Sequence, residues 1–432
     1  MKSILSGAAA QSLRARAGKT ILAFVFLVNL SIGYKIYSES EGSKPADDGY
    51  KSISLLMNVL ELLRENYVDP SQVSYDKLIH GALKGMLQEL DPFSAYEEPQ
   101  RFKHTLEETN GAFGGLGIVV TSKNNMIEVV APMEDSPGFR AGIQPGDIIM
   151  EIDGKSTRLM DLQECVNLLK GAPGTKVGLT VYRKSEDSTK ELNIERAVIE
   201  VSSIKGGKII DDGIGYIRIT QFTLPTAERL DEALKKLKQD ESFKGLILDL
   251  RGNPGGLLDS AVQVCSRFIK KGELVVFTEG REKSNRVEYH SLACEKMLDI
   301  PIVLLLDANS ASASEIVAGC LKDYGRAVLV GTRSFGKGSV QSVVPLPDKG
   351  AVRFTTAKYY TPSKRVIHGE GIEPNIPINI PADIERKLAQ QRAAYPGEVK
   401  PNIPGAVSDP QLQRAIEILK GISLFTQAKK DE

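Results

Sequence analysis

Residues 300–338 read IPIVLLLDANSASASEIVAGCLKDYGRAVLVGTRSFGKG. Ile302-Val303-Leu304-Leu305-Leu306 is short, apolar and unbroken, which favours a strand buried on both faces over a helix. Asp307-Ala308-Asn309 breaks the run, and Ser-Ala-Ser-Ala-Ser then leads into Glu315-Ile316-Val317-Ala318, the small and apolar residues of a packed helix. A serine is thereby set at a sharp strand-to-helix junction, beside free N–H groups that favour developing negative charge. Ser312 and Glu315 also have the spacing of a capping box, and taken alone that structural role is the commoner one. Further on, the strand Ala327–Val330 ends in Gly331-Thr332, and Lys337 follows between Gly336 and Gly338. A lysine so placed is either a solvated turn residue or an amine held in a tight backbone pocket.

SASASEI followed by FGKGSVQ, with Lys337 twenty-five positions after Ser312, resembles the carboxyl-terminal processing peptidases, also called tail-specific proteases. The resemblance implies that Ser312 is the nucleophile, Lys337 its general base and Gln341 the glutamine that fixes the amine. Leu250-Arg-Gly-Asn-Pro-Gly-Gly256 matches the same family. That match implies a crotonase-like α/β core of βαβ units, with an oxyanion hole between the N–H of Gly255 or Gly256 and that of Ala313. His368 stands where glutamine is the more frequent family residue. Ser310 and Ser314 are rival nucleophiles, assigned here to capping or packing, and Glu315 is read as a helix-start partner.

The chemistry is consistent with that reading. His80, His104, His290 and His368 form neither a triad pattern nor a metal spacing. No metal and no cofactor is therefore expected. A lysine base must be neutral near neutral pH, which burial promotes by disfavouring the charged form. Lys337 is accordingly expected to be desolvated beside Ser312.

Outward from this core the chain changes character several times. Its 432 residues suffice for two or three domains, and 55 basic against 55 acidic residues give no global field for nucleic acid. Residues 1–19 carry Lys2, Arg14, Arg16 and Lys19 without an acid, ahead of the apolar run 20–37. That pattern reads as a basic cytoplasmic end followed by an uncleaved signal anchor, placing the remainder on the periplasmic side of a bacterial inner membrane. Residues 38–50 read as a solvated linker. Residues 51–104 show two helical stripes, Leu55, Leu56, Val59, Leu60 and Leu63, then Leu78 to Leu90, ended by Asp91-Pro92. Asp91-Pro92-Phe93-Ser94 also resembles the family's N-terminal segment.

Residues 105–200 open on Gly114-Gly115-Leu116-Gly117-Ile118 and continue through Ala141-Gly-Ile-Gln-Pro-Gly-Asp-Ile148. A helix with Leu159, Leu162, Val166 and Leu169 follows, then Lys176-Val-Gly-Leu-Thr-Val-Tyr-Arg183. Together these resemble an inserted, mostly-β PDZ domain. The glycines lack the lysine and the helix start of a phosphate-binding loop. N–H groups around Gly115, Leu116 and Gly117 could receive a peptide's terminal carboxylate, while the peptide adds as a strand beside Ile118. Leu116, Ile118, Val166 and Leu169 are candidates for the apolar wall around its last side chain. Residues 201–382 make the protease core, and 383–432 a polar extension with one helix from Asp409 to Gly421.

The function this implies is a serine endopeptidase that takes protein substrates by free C-terminal tails. Its expected partners are those substrates, the membrane, and a homo-oligomer or activating adaptor, but no nucleic acid. A membrane-tethered PDZ adaptor without catalysis is the alternative from another class. Cys165, Cys265, Cys294 and Cys320 are expected as free thiols.

Overall fold

A computed structural model describes residues 49–123, 126–133, 135–295, 299–394 and 406–428. The segment read as a signal anchor lies outside them. Among the described residues no helix is long and apolar enough to cross a membrane.

The chain divides into two compact units, one ending at Ala82 and the other running from Leu83. The first contains α1 (Gly49–Asn66) and the start of α2 (Tyr75–Gln88). Tyr75 donates to Glu61 at 2.6 Å and carries the Arg64 guanidinium 3.6 Å from its ring centroid. Of the stripe on α1 only Leu60 is buried; Leu55, Leu56, Val59 and Leu63 stay exposed.

The second unit begins with β1 (Ala95–Glu97) and α3 (Pro99–Asn110). The PDZ-like part comprises β2 (Ala112–Gly115), β3 (Ile118–Lys123), β4 (Met126–Pro132), α4 (Pro137–Arg140), β5 (Ile148–Ile152), β6 (Lys155–Ser156), α5 (Leu162–Leu169), β7 (Lys176–Arg183), β8 (Ser188–Glu195) and β9 (Ala197–Glu200). Its sheet runs β3-β4-β5-β7-β8, and β2 pairs with β9 as a separate ribbon. Along β7 every second residue is buried, so Val177, Leu179 and Val181 meet Ile127, Ile149 and Leu169 in one core. Leu159, expected on the helix, sits before it in a short turn and is 99% exposed. The helix begins instead at the Asp161–Glu164 capping box.

The protease-like core follows with β10 (Ile204–Asp211), β11 (Ile214–Ile219), α6 (Thr226–Lys238), β12 (Gly245–Asp249), α7 (Leu258–Ser266), β13 (Leu274–Gly280), β14 (Val287–His290), β15 (Ile302–Leu306), α8 (Ala313–Asp323), β16 (Ala327–Gly331), β17 (Ser339–Pro345), β18 (Ala351–Tyr360) and β19 (Ile376–Pro377). Two helices close the chain, α9 (Ala382–Ala394) and α10 (Pro410–Ala428). Helix α9 was not expected, since it lies in polar sequence with weak periodicity, and α10 extends past Gly421.

The main sheet has the order β10-β11-β12-β15-β16-β19, parallel from β11 onward. Its two covered faces explain the unbroken apolar run of β15. Ile302, Leu304 and Leu306 pack with Leu230, Val264 and Ile316 from α6, α7 and α8. Val303 and Leu305 face the other way, against Leu412, Ile416 and Leu419 of α10. Burying each such side chain contributes roughly 1.5–3 kcal/mol. A second sheet, β1-β18-β13-β14 with β17 on β18, carries Gln341 on β17 and brings Tyr359 of β18 beside Ser312 in the turn after β15.

Candidate active site

The turn after β15 is pinned on both sides of Ser312. Ser310 Oγ donates to the Leu250 carbonyl at 2.9 Å, and Ser314 Oγ donates to the Asn253 carbonyl at 2.9 Å. Both hydroxyls are committed to backbone. Ser312 lies between them as N-cap of α8, with φ 55° and ψ −112°, a conformation tight turns normally reserve for glycine. It is nearly buried, and its side chain neighbours the Tyr359 phenol, which burial pushes up and the Ser312 hydroxyl pulls back.

Glu315, one turn into α8, ties this serine to the lysine loop. One carboxylate oxygen accepts from Ser312 N–H and Lys337 N–H, each at 2.8 Å. The other accepts from Ser334 Oγ at 2.6 Å and Gly336 N–H at 2.7 Å. Burial raises the carboxyl while these four donors oppose the rise. Its geometry is that of a brace between two loops.

The Lys337 side chain is half-buried, its amine 4.7 Å from the Phe93 ring centroid. Burial pushes its ammonium below the ordinary lysine value; Arg353 adds to that, and Asp91 and Glu315 oppose it. Among the described residues no hydrogen bond joins this amine to Ser312. Gln341, on β17, donates to Thr355 Oγ1 at 2.7 Å, and its Oε1 is buried without any partner.

The turn after β12 reaches the same place. Asn253 Nδ2 donates to the Ile219 carbonyl, its Oδ1 accepts from Gly255 N–H at 2.9 Å, and its carbonyl accepts from Ala311 N–H at 3.0 Å. Gly255 has φ 104°, and a Cβ there would lie 2.8 Å from Ser312 Cβ and 3.0 Å from Ala313 N. Gly255, Ala313 and Ser312 are thus in contact. Because Gly255 N–H is already engaged, Gly256 carries the available donor of that pair. Among the described residues neither Gly256 N–H nor Ala313 N–H has an acceptor.

In the PDZ-like part, among the described residues, β3 pairs only with β4, and no strand lies on its other edge. Gly117 has φ 66°, and its carbonyl accepts from Ser136 Oγ and Met133 N–H. Leu116 and Leu169 are 2% and 5% exposed and belong to the domain core. Ile118 and Val166 are half-buried and keep accessible surface.

Several contributors carry no individual sequence signal. Phe93 and Asp91 lie in the segment already matched to the family, yet nothing there points to the lysine. Asn253 sits inside the glycine turn, where the glycines draw the reading; Arg353 and Tyr359 look like ordinary alternating strand residues. Among the described residues no His, Cys, Asp and Glu group could hold a metal, and all four cysteines are free thiols.

Residues 213–378 match the family profile for peptidase family S41, 128–183 that for a PDZ domain, and 33–100 that for the activating protease CtpB N-terminal domain. A carboxy-terminal-processing protease of Bartonella bacilliformis is 41% identical over 84% of this chain and 83% of its own length. The "Probable CtpA-like serine protease" of Staphylococcus aureus is 37% identical over 84% of this chain and 70% of its own. Among solved structures, the photosystem II D1 C-terminal processing protease aligns over 77% of this chain and 95% of its own, at 26% identity and a TM-score of 0.43. The chain belongs to peptidase family S41, as a serine peptidase of the carboxy-terminal-processing type with a PDZ domain.

Proposed function

We propose that hydrolysis runs on a Ser312–Lys337 dyad. The observation that carries this reading is a matched pair of unmet needs. Among the described residues, Lys337 is half-buried with no carboxylate hydrogen-bonded to its amine, and Gln341 Oε1 is a buried acceptor with no donor. Rotation of the lysine off Phe93 would let Gln341 accept one N–H and aim the nitrogen lone pair at Ser312 Oγ. The neutral amine then takes the hydroxyl proton as the oxygen attacks the scissile carbonyl. Gly256 N–H and Ala313 N–H receive the developing oxyanion. Lys337 returns the proton to the leaving amine, and water attacks the acyl-enzyme with the same lysine as base.

In this reading the substrate arrives by its tail. Its terminal carboxylate takes N–H groups of the Gly115–Gly117 loop, its backbone adds to the open edge of β3, and Ile118 and Val166 meet its last side chain. The basic and apolar N-terminus anchors the enzyme so that catalysis occurs on the extracytoplasmic side of the envelope. The match to the activating-protease N-terminal domain favours a partner or second copy bound through that region.

The test pairs a tailed peptide with a fluorophosphonate probe. Wild-type protein is expected to cut the peptide and be labelled on Ser312. Ser312→Ala should do neither, and cleavage surviving in that variant would refute the assignment.

A further inference from the structure

At the carboxyl ends of β11, β12 and β15 lies a cavity of about 530 Å³, separate from the residues of the dyad. Parallel sheets commonly bind small ligands at such ends, and the volume is within the range of small-molecule sites. Four cations line it, Lys205, Arg218, Arg386 and Arg392, against two carboxylates, Asp307 and Glu385. Asp307 Oδ1 is already engaged, accepting from Gly252 N–H at 2.9 Å and Asn309 N–H at 3.0 Å. Within the lining the cations thus outnumber the carboxylates four to two, with Asp249 and Asp409 acting on Arg218 and Arg392 from behind the wall.

Three observations indicate a missing anion. Lys205 and Arg218 are register partners on β10 and β11, and like charges directly opposite each other destabilise a sheet. Lys205 is half-buried and, among the described residues, has no hydrogen bond or ion pair; burial and Arg229 push its ammonium down. Among the described residues the Nε atoms of Arg218 and Arg392 are buried without partners, while Arg218 Nη2 donates to the Arg251 carbonyl at 3.2 Å and Arg392 Nη1 lies 3.8 Å from Asp409. Guanidinium and ammonium groups converging on one small space suit the several oxygens of a phosphate.

We propose that this cavity is an effector site for a phosphate-bearing small molecule. Two of its wall residues connect it to the turns around Ser312: Gly252 precedes the Asn253 turn that holds Gly255, and Asp307 N–H donates to Ser310 Oγ at 2.9 Å, two residues before Ser312. Occupation steadies both turns, so bound phosphate should raise both thermal stability and peptide cleavage. The effect on cleavage rests on the dyad reading above, whereas binding does not.

Inorganic phosphate should raise the melting temperature of the full chain saturably, beyond sodium chloride of equal ionic strength. Cleavage should rise with the same midpoint. Lys205→Met removes an unpaired cation, so its melting temperature without phosphate should be equal or higher, with phosphate affinity weakened about tenfold or more. No phosphate-specific shift, or wild-type affinity in Lys205→Met, would overturn the proposal. Ser312→Ala should keep the phosphate shift while losing cleavage, which separates failure of this site from failure of the dyad. Vesicles of phosphatidylglycerol form the last arm: binding lost in Lys205→Met assigns the phosphate to a lipid headgroup. Binding of inorganic phosphate alone assigns it to a soluble ligand.

Discussion

Ser312 holds a backbone conformation that costs a side chain energy, and Lys337 sits where burial disfavours its charged form. Both are strains kept at a reactive site, and relieving them should raise stability as activity disappears. Ser312→Gly is expected to abolish cleavage and stabilise the fold by about 1 kcal/mol, read by denaturant midpoint. A lowered midpoint would mean that the turn is not strained. Lys337→Met should likewise be inactive yet at least as stable as wild type at neutral pH. Because the folded state depresses the Lys337 pKa, wild-type stability should recover relative to this variant as pH rises from the folded value toward that of the unfolded chain. At this scale the sequence nominated Ser312 and Lys337, because each sits in a short motif that resembles the family's. It did not reveal Phe93, Arg353 or Tyr359, whose roles depend on distant elements meeting.

Among elements, the end of β12 does two jobs. Arg251 is fully buried, with Nε and Nη2 donating to Asp249 at 3.0 and 2.7 Å and Nη1 donating to Asp409 and Gln411 at 3.0 Å. It thereby fastens α10 to the strand whose next turn carries Gly255 and Gly256. Replacing one member of such a buried pair costs about 3–5 kcal/mol, so Arg251→Ala should unfold at much lower denaturant and free α10 to proteolysis. Burial alone would raise the Asp249 carboxyl, but Arg251 and Arg218 hold it well below the usual carboxylate range. Its stabilisation is thus complete above the unfolded carboxylate pKa and should be lost only as pH falls below that range. Acid titration of wild type against Asp249→Asn checks the sign. Asn253→Ala should cost about 1–3 kcal/mol by leaving buried groups unpaired, and should lower kcat more than it raises KM. The strand and helix order of this region was legible because apolar runs and glycine turns alternate sharply. Helix α9 was not, since its sequence is polar on nearly every side.

For the whole molecule, the PDZ domain and the protease core were readable from motifs that each occupy a short contiguous stretch. The burial of Leu116 and Leu169 was not, because an apolar residue in a glycine loop or on a helix stripe looks the same whether it lines a groove or fills a core. If tail docking at Gly115–Gly117 governs cleavage, amidating a substrate's C-terminus should raise KM about tenfold or more, and equal rates would count against it. Everything in the account converges on whether a neutral lysine activates Ser312. The direct measurement is the pH dependence of kcat/KM on one tailed peptide, for wild type and Lys337→Ala. Wild type should rise with pH through an inflection below the ordinary lysine value, and the variant should lose both rate and inflection. An inflection that survives unchanged in Lys337→Ala would contradict the mechanism.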